Sequence, residues 1–324
     1  MIDFMDAPWL APAAVVGVIA CIGLVCLLAR PCAGGVCRSR ARLDNKTAII
    51  TGANTGIGKE TAADFARRGG RVILACRSKA KGEIAAEEIR HATGNDNVVF
   101  KCLNLASFQS IRSFAEDINK NEKSLDILVN NAGLVVERQL TEDGLEMIMG
   151  VNHFGHFLLT NLLLNKMKES KNARIVVVAS YGYSFVRSLD FDDIQNEKNF
   201  SAFNVYCQSK LANVYFTREL AKRLESDGIL VNCLHPGGVM TDIWRDMNKC
   251  LKAFTYPFAL MLFKTPKEGA QTTIHLAVSE DIDGLSGLYF EDCRPVKMKP
   301  HALDDEAAKR LWDVSEELTG LSVH

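Results

Sequence analysis

Tyr206 and Lys210 stand four residues apart in the stretch YCQSK. On a helix that spacing puts both side chains on one face, with Cβ atoms about 5–6 Å apart. A phenol ordinarily releases its proton near pH 10, so at neutral pH it is a poor proton shuttle. A lysine cation alongside favours the phenolate and lowers that value, which would make an acid/base pair. A surface tyrosine beside a surface lysine reads the same in five letters, so the surroundings must decide.

A second group of residues could hold a phosphate. TGANTGIG, residues 51–58, follows a β-branched run directly and opens an amphipathic segment. Gly52, Gly56 and Gly58 allow a tight turn and a close backbone approach to a pyrophosphate at a helix N-terminus. The spacing is Gly-x-x-x-Gly-x-Gly rather than Gly-x-Gly-x-x-Gly, and the strand–turn–helix setting is what gives it weight. The next apolar run ends in ACRS (75–78), where an NAD-specific site places an acid for the ribose 2′-hydroxyl. This chain has Arg77 there, followed by Ser78 and Lys79. A guanidinium suits a 2′-phosphate in charge and forked geometry and predicts NADP(H). The other reading is a solvated basic cluster. In LVNNAG (128–133), Asn131, Ala132 and Gly133 fit the ligand crevice of a doubly wound sheet. They also fit an ordinary Asn/Gly turn.

The elements that must position these groups alternate. Strand-like runs occur at 46–51, 71–76, 97–103, 125–130, 173–179, 229–234 and 287–290, with amphipathic stretches such as GKETAADFARRG and SKLANVYFTRELAKRLES between them. That alternation predicts an α/β fold: a Rossmann-type, doubly wound parallel sheet of about seven strands with helices on both faces. No internal repeat or low-complexity tract interrupts it, and one domain over residues 44–324 accounts for it. The 324 residues are 48% hydrophobic and 24% charged, with a net charge of −1, which is globular and gives no argument for a nucleic-acid partner.

Ahead of this domain, residues 9–29 form a stretch of 21 without a charge. As a helix it spans about 31 Å, close to the hydrocarbon thickness of a bilayer. It predicts one N-terminal transmembrane anchor, joined by a basic linker at 30–43. A cleaved signal peptide leading to secretion is the alternative, but the lead-in holds Asp3 and Asp6 and no basic residue. Arg30, Arg38, Arg40, Arg42 and Lys46 all follow the apolar run, which places the bulk of the chain in the cytosol. The ten cysteines show no Cys-x-x-Cys spacing, so no disulfide scaffold or metal site is expected. Cys32 and Cys37 are juxtamembrane positions open to palmitoylation.

TGANTGIG, NNAG, a serine closing the fifth strand and Tyr-x-x-x-Lys together resemble the short-chain dehydrogenase/reductases over nearly all of residues 44–300. The stretches VNHFGHFLLT, YCQSKLANV, KTPKEGAQT and RLWDVSEELTGL resemble that family's membrane-anchored retinol dehydrogenase branch. The resemblance implies an NADP(H)-dependent oxidoreductase that interconverts a lipophilic carbonyl and its alcohol, with retinal/retinol first. A steroid or a lipid-derived aldehyde is the alternative substrate, and a nucleotide-binding protein with little turnover is the alternative class. It further implies roles. Tyr206 is the general acid/base, Lys210 lowers its pKa and binds the nicotinamide ribose, Ser180 holds the substrate oxygen, and Asn152 holds a water linking Lys210 to solvent. The chemistry needs such a set, because hydride transfer builds alkoxide character that a poised donor must neutralise.

For the cofactor, the resemblance implies contacts from Asn54, Thr55 and Ile57 beside the three glycines, and from Asn104 and Leu105. It adds Pro236, Gly237, Val239 and Thr241 after the sixth strand. Asn104 stands where the family has aspartate, keeping an acceptor and losing the charge. His153, His156 and His235 lack a third ligand at metal spacing and read as structural. Ser180 and Tyr206 are separated by an insert, residues 184–200, which the retinol dehydrogenase branch shares. Residues 241–266 form an expected lid carrying Trp244, Phe254, Tyr256, Phe258, Met261 and Phe263, suited to a lipophilic substrate and to the bilayer surface. The family also implies a possible homodimer through the middle helices.

Overall fold

The computed structural model describes residues 34–239 and 263–321. The expectations placed on the anchor at 9–29, on Cys32, on Thr241 and on the lid up to residue 262 lie outside the described residues.

Eight strands form one sheet: β1 (Thr47–Thr51), β2 (Arg71–Cys76), β3 (Val98–Cys102), β4 (Ile127–Asn130), β5 (Arg174–Val178), β6 (Leu230–His235), β7 (Tyr289–Glu291) and β8 (Arg294–Pro295). Their order is β3-β2-β1-β4-β5-β6-β7-β8. The first seven are parallel, and β8 returns antiparallel on β7. The expected sheet of about seven parallel strands therefore gains a short eighth. The turn that makes it, Asp292-Cys293, has φ of 50° and 60°. Two left-handed residues suit a two-residue hairpin, but the usual glycine is missing, so the sequence carried no turn signal.

The strands are β-branched runs with both faces covered. In β1, Ile49 joins one core and Ile50 the other, because successive side chains point to opposite sides of the sheet. On one face lie α1 (Gly56–Arg67), α2 (Lys79–Thr93) and, later in the chain, the helix Pro266–Val278. That last helix starts from a capping box between Thr265 and Glu268, with proline in its first turn. On the other face lie α3 (Phe108–Asn121), α4 (Gly155–Lys168) and α5 (Ala202–Arg223). Counting onward, Pro266–Val278 is α6 and Asp305–Thr319 is α7. Helix α7 packs its Leu311 and Trp312 into the core of the second face, where Trp312 meets Phe157 at 4.9 Å and Phe216 at 6.0 Å between ring centres.

Helix α4 is entered through a short turn, Met147–Met149, and a π-helical turn, Gly150–Phe154. Taken together, Met147–Lys168 is long and apolar enough to cross a membrane, but 78% of its most apolar window is buried inside the fold. Here it is a core helix.

The sheet order reverses between β1 and β4. In such a sheet the crevice outside the carboxyl ends of the strands receives ligands at that reversal.

Candidate active site

The carboxyl edge collects the sequence motifs. Thr51 closes β1 and Gly52 turns the chain with φ of 66°. A Cβ at Gly52 would stand 3.1 Å from Ala132, and one at Gly58 would stand 2.6 Å from the Asn131 amide nitrogen. The glycine turn and the Asn131–Gly133 segment are thus packed together with no room for a side chain. Gly56, φ 58°, faces open space. Thr55 is the N-cap position of α1, and Asn54 and Ile57 are half-buried beside it. The start of α1 therefore stands at the carboxyl edge of the sheet, where a bound pyrophosphate would meet a helix N-terminus.

One residue ties this turn to the other half of the site. The Thr51 hydroxyl oxygen accepts from the amides of Asn131 and Ala132, both at 2.9 Å, while the Asn131 side chain donates to the Thr51 carbonyl at 2.7 Å. The same hydroxyl lies 2.9 Å from His156 Nε2, and His156 Nδ1 lies 3.2 Å from the Asn152 carbonyl. A carbonyl can only accept, so Nδ1 carries the proton and Nε2 accepts from Thr51. That satisfies every group, in preference to the hydroxyl's longer 3.3 Å contact with Val129. Burial pushes the imidazole down to about 4, so it is neutral. His156 reads from the sequence as structural only, and its partner is 105 residues away.

Asn152 sits in the π-helical turn, fully buried. Its side-chain oxygen accepts from Leu134 N at 2.9 Å, and its amide donates to Leu134 O at 3.1 Å and Ser209 Oγ at 3.0 Å. Asn152 thereby fixes the loop after Gly133 against α5. On α5, Tyr206 is half-buried and Lys210 is buried. Lys210 Nζ donates to the Val178 carbonyl at 3.0 Å and stands 5.5 Å from the Tyr206 ring centre. A Cβ on Gly133 would be 3.5 Å from that ammonium, an ordinary contact, so Gly133 lies directly beside it. Ser180 follows β5, with its hydroxyl accepting from Gly182 N at 3.1 Å and within hydrogen-bonding reach of Tyr206. Asn152, Ser180, Tyr206 and Lys210 thus share one small region.

Their electrostatics correct one expectation. Lys210 was expected to lower the Tyr206 pKa, but burial raises it, and the hydrogen bond with Ser180 only opposes that rise. Lys210 is itself pushed down to about 8 by burial. In this structure its ammonium points to Val178 O rather than making a hydrogen bond to the phenol, and desolvation dominates both groups.

The insert at 184–200 does not disturb this arrangement. Leu189 and Ile194 are buried, Gln195 accepts from Glu146 N at 2.8 Å, and Asn196 accepts from Gln208 at 3.0 Å. It fastens the entry of α4 to α5.

Toward the other end of the crevice, Arg77 is exposed after β2, with no ion-pair partner among the described residues, and Ser78 caps α2. Asn104 closes a local turn: its side-chain oxygen accepts from Ala106 N at 3.2 Å and its amide donates to Glu142 at 3.1 Å. Leu105 is buried in the core. After β6, Gly237 has φ of 90°, and a Cβ there would run into the Lys264 side chain at 2.7 Å. Lys264 is buried, pairs with Asp292 and bridges its backbone to Val239. His235 is pushed down to about 4 by burial and the nearby Lys264 charge, and its Nδ1 has no hydrogen-bond partner among the described residues.

Comparison with known proteins agrees with this geometry. Residues 46–252 match the family model described as short chain dehydrogenase. The chain is 48% identical over 290 residues to retinol dehydrogenase 11 of Mus musculus, covering 89% of this chain and 91% of that one. It is 46% identical over 321 residues to retinol dehydrogenase 13 of the same species, covering 97% and 95%. Among solved structures, an uncharacterized protein from Mycobacterium paratuberculosis superposes with a TM-score of 0.71 at 31% identity, over 89% of this chain and 98% of that one. A protein described as a short chain dehydrogenase, from Escherichia coli CFT073 in complex with NADPH, superposes with a TM-score of 0.61 at 25% identity, over 78% and 99%. The chain belongs to the short-chain dehydrogenase/reductase family. It is accordingly an oxidoreductase of a nicotinamide dinucleotide, similar to retinol dehydrogenases.

Proposed function

We propose that this protein is an NADP(H)-dependent reductase and dehydrogenase for a lipophilic carbonyl/alcohol pair, with retinal/retinol first. The observation that carries the reading is the gathering of Tyr206, Ser180, Lys210 and Asn152 beside a glycine turn whose open side ends, one strand over, at Arg77. The relatives named retinol dehydrogenase support the substrate class.

The residues fit a nicotinamide dinucleotide, because the glycine turn leaves open space at Gly56 and Arg77 has a free guanidinium at the ribose end. When bound, that cofactor supplies or accepts the hydride. Ser180 orients the carbonyl oxygen by donating to it. Tyr206, kept protonated by burial, gives its proton to that oxygen as negative charge develops there. Lys210, charged below about pH 8, stabilises the resulting phenolate, and Asn152 holds the loop and helix that flank it. In the alcohol-oxidising direction Tyr206 takes the proton back.

Residues 9–29 serve as a membrane anchor in this reading, residues 30–43 as its linker, and the catalytic domain at 44–324 faces the cytosol, with the endoplasmic reticulum as the expected membrane. Asn45 and Asn199 lie in glycosylation sequons and are exposed. Expression in mammalian cells followed by glycosidase treatment should produce no mobility shift. A glycan on Asn199 would put the domain in the lumen and overturn this topology.

The activity is tested with detergent-purified protein, all-trans-retinal, and either NADPH or NADH. Retinal-dependent NADPH oxidation that disappears in Tyr206→Phe is the expected result. Reduction of steroid ketones or lipid-derived aldehydes without retinal would move the substrate, and nucleotide binding with no turnover of any carbonyl would remove the enzyme reading.

A further inference from the structure

Three large aromatic side chains stand in solvent beside the half-buried Tyr206. Tyr181 is 44% exposed, Phe185 64% and Phe203 63%. They are not scattered. Tyr181 and Phe185 meet edge-on at 5.8 Å between ring centres, and Phe185 and Phe203 at 6.0 Å. At the inner end, Tyr181 lies 6.2 Å from the ring of His235, which has a buried nitrogen. Exposure therefore rises along the row from His235 through Tyr181 to Phe185.

The row is attached to the reacting groups by short covalent spans. Tyr181 follows Ser180 directly and begins the 3-10 turn Tyr181–Phe185, which Ser184 closes by donating to the Tyr181 carbonyl at 2.8 Å. That turn rests against the catalytic candidate, since a Cβ at Gly182 would lie 3.4 Å from the Tyr206 ring. Phe203 precedes Tyr206 by three residues on α5 and so shares its helix face. Single exposed apolar residues are ordinary, but a contiguous aromatic row rimming a site marks a binding surface.

We infer that Tyr181, Phe185 and Phe203 form the seat for the apolar tail of the substrate, and that they select extended chains over short ones. The inference rests on the function proposed above for Ser180 and Tyr206 and names the subsite next to them. A carbonyl held between those two hydroxyls directs its chain along the row. Two steps of 5.8 and 6.0 Å accommodate up to about ten carbons, at roughly 1.2 Å per bond in an extended chain. Aromatic faces and edges favour a flat, apolar occupant, and beyond the single Tyr181 hydroxyl they supply no polar partner for a charged or sugar-like one.

The test uses the full-length chain in detergent, loaded with NADPH. Tritiated all-trans-retinol, which cannot react with the reduced nucleotide, is measured by equilibrium gel filtration. Phe185→Ala and Phe203→Ala should each weaken retinol binding about tenfold, with NADPH affinity unchanged. Control variants at exposed apolar residues elsewhere, Val296→Ala and Leu303→Ala, should bind as the parent does. In turnover, kcat/KM for retinal should fall about tenfold while that for propanal stays within twofold. Because binding is read without chemistry, a failure of the proposed carbonyl reduction would leave this result standing. Equal losses for retinal and propanal, or unchanged retinol binding in both variants, would overturn it. So would a defect that appears only in phosphatidylcholine vesicles and not in detergent, since the row would then be a bilayer contact.

Discussion

Lys210 and Tyr206 respond to burial in opposite ways, and that fixes the pH behaviour of the site. The lysine is pushed down to about 8, so it is cationic below that pH and neutral above it. The phenol is pushed up, so it remains a proton donor through the same range. For carbonyl reduction, kcat/KM should therefore be flat through neutral pH and fall as pH rises through about 8, reporting Lys210 in the free enzyme. Stopped-flow or steady-state rates from pH 6 to 10 check this, and a profile that stays flat across that range would remove Lys210 from the pH dependence. Tyr206→Phe should lower kcat about 10²–10⁴-fold, the usual worth of a positioned acid. At the other end of the crevice, Arg77→Gln should raise KM for NADPH at least tenfold and leave NADH within twofold, since only the 2′-phosphate distinguishes the two nucleotides.

The elements hold these residues through close approaches that tolerate little change. Gly58→Ala would drive a methyl group against Asn131 and the Gly52 carbonyl, at 2.6 and 2.8 Å. We expect a loss of about 1–3 kcal/mol in denaturant unfolding, together with a loss of NADPH binding in titration calorimetry. Thr51 makes a subtler case. Thr51→Val would strip the partner from two amides and from His156 Nε2, at about 1–3 kcal/mol for each buried group left unpaired. Thr51→Ser keeps the hydroxyl and should stay within about 1 kcal/mol of the parent. The π-helical turn is constrained in the same way, because the bulge brings Asn152 to face both Leu134 and Ser209.

For the whole molecule, the buried histidines set an acid limit. His153 is lowered to about 3 and His156 to about 4, both by burial, so each is neutral in the folded chain. Unfolded, each would take up a proton near pH 6.5. Their contribution is therefore fully present above about 6.5 and is lost as pH falls toward 4, on the order of 3 kcal/mol each by pH 4. His235, also lowered to about 4, adds a third proton, so thermal melts across pH 7 to 4 should show this decline with a slope near three protons. The carboxyl-terminal helix closes the second face. Trp312 is 5% exposed, stacks over Phe216 and lies 4.1 Å under the Arg223 guanidinium. Trp312→Ala should cost about 3–5 kcal/mol, whereas Trp312→Phe should cost much less, since the indole N–H has no hydrogen-bond partner among the described residues. This helix also covers α5, so any pairing of two chains through the middle helices would have to use what α7 leaves exposed.

The sequence by itself determined the alternation of strands and helices, the glycine turn, Arg77 at the end of β2, and the Tyr206–Lys210 spacing. Each of these is local, because a period of two or 3.6 residues, a left-handed turn or an i,i+4 pair is fixed by near neighbours along the chain. Ser180 and Asn152 became legible only through resemblance, since neither has a local signature. The tertiary structure alone decided the rest. It joined Thr51 to His156 across 105 residues, added β8 through a turn without glycine, lined up Phe185 with Phe203, and reversed the expected direction of the Tyr206 shift. These depend on which distant surfaces meet and how much water they exclude, and desolvation is a property of the packed interior that no spacing along the chain encodes.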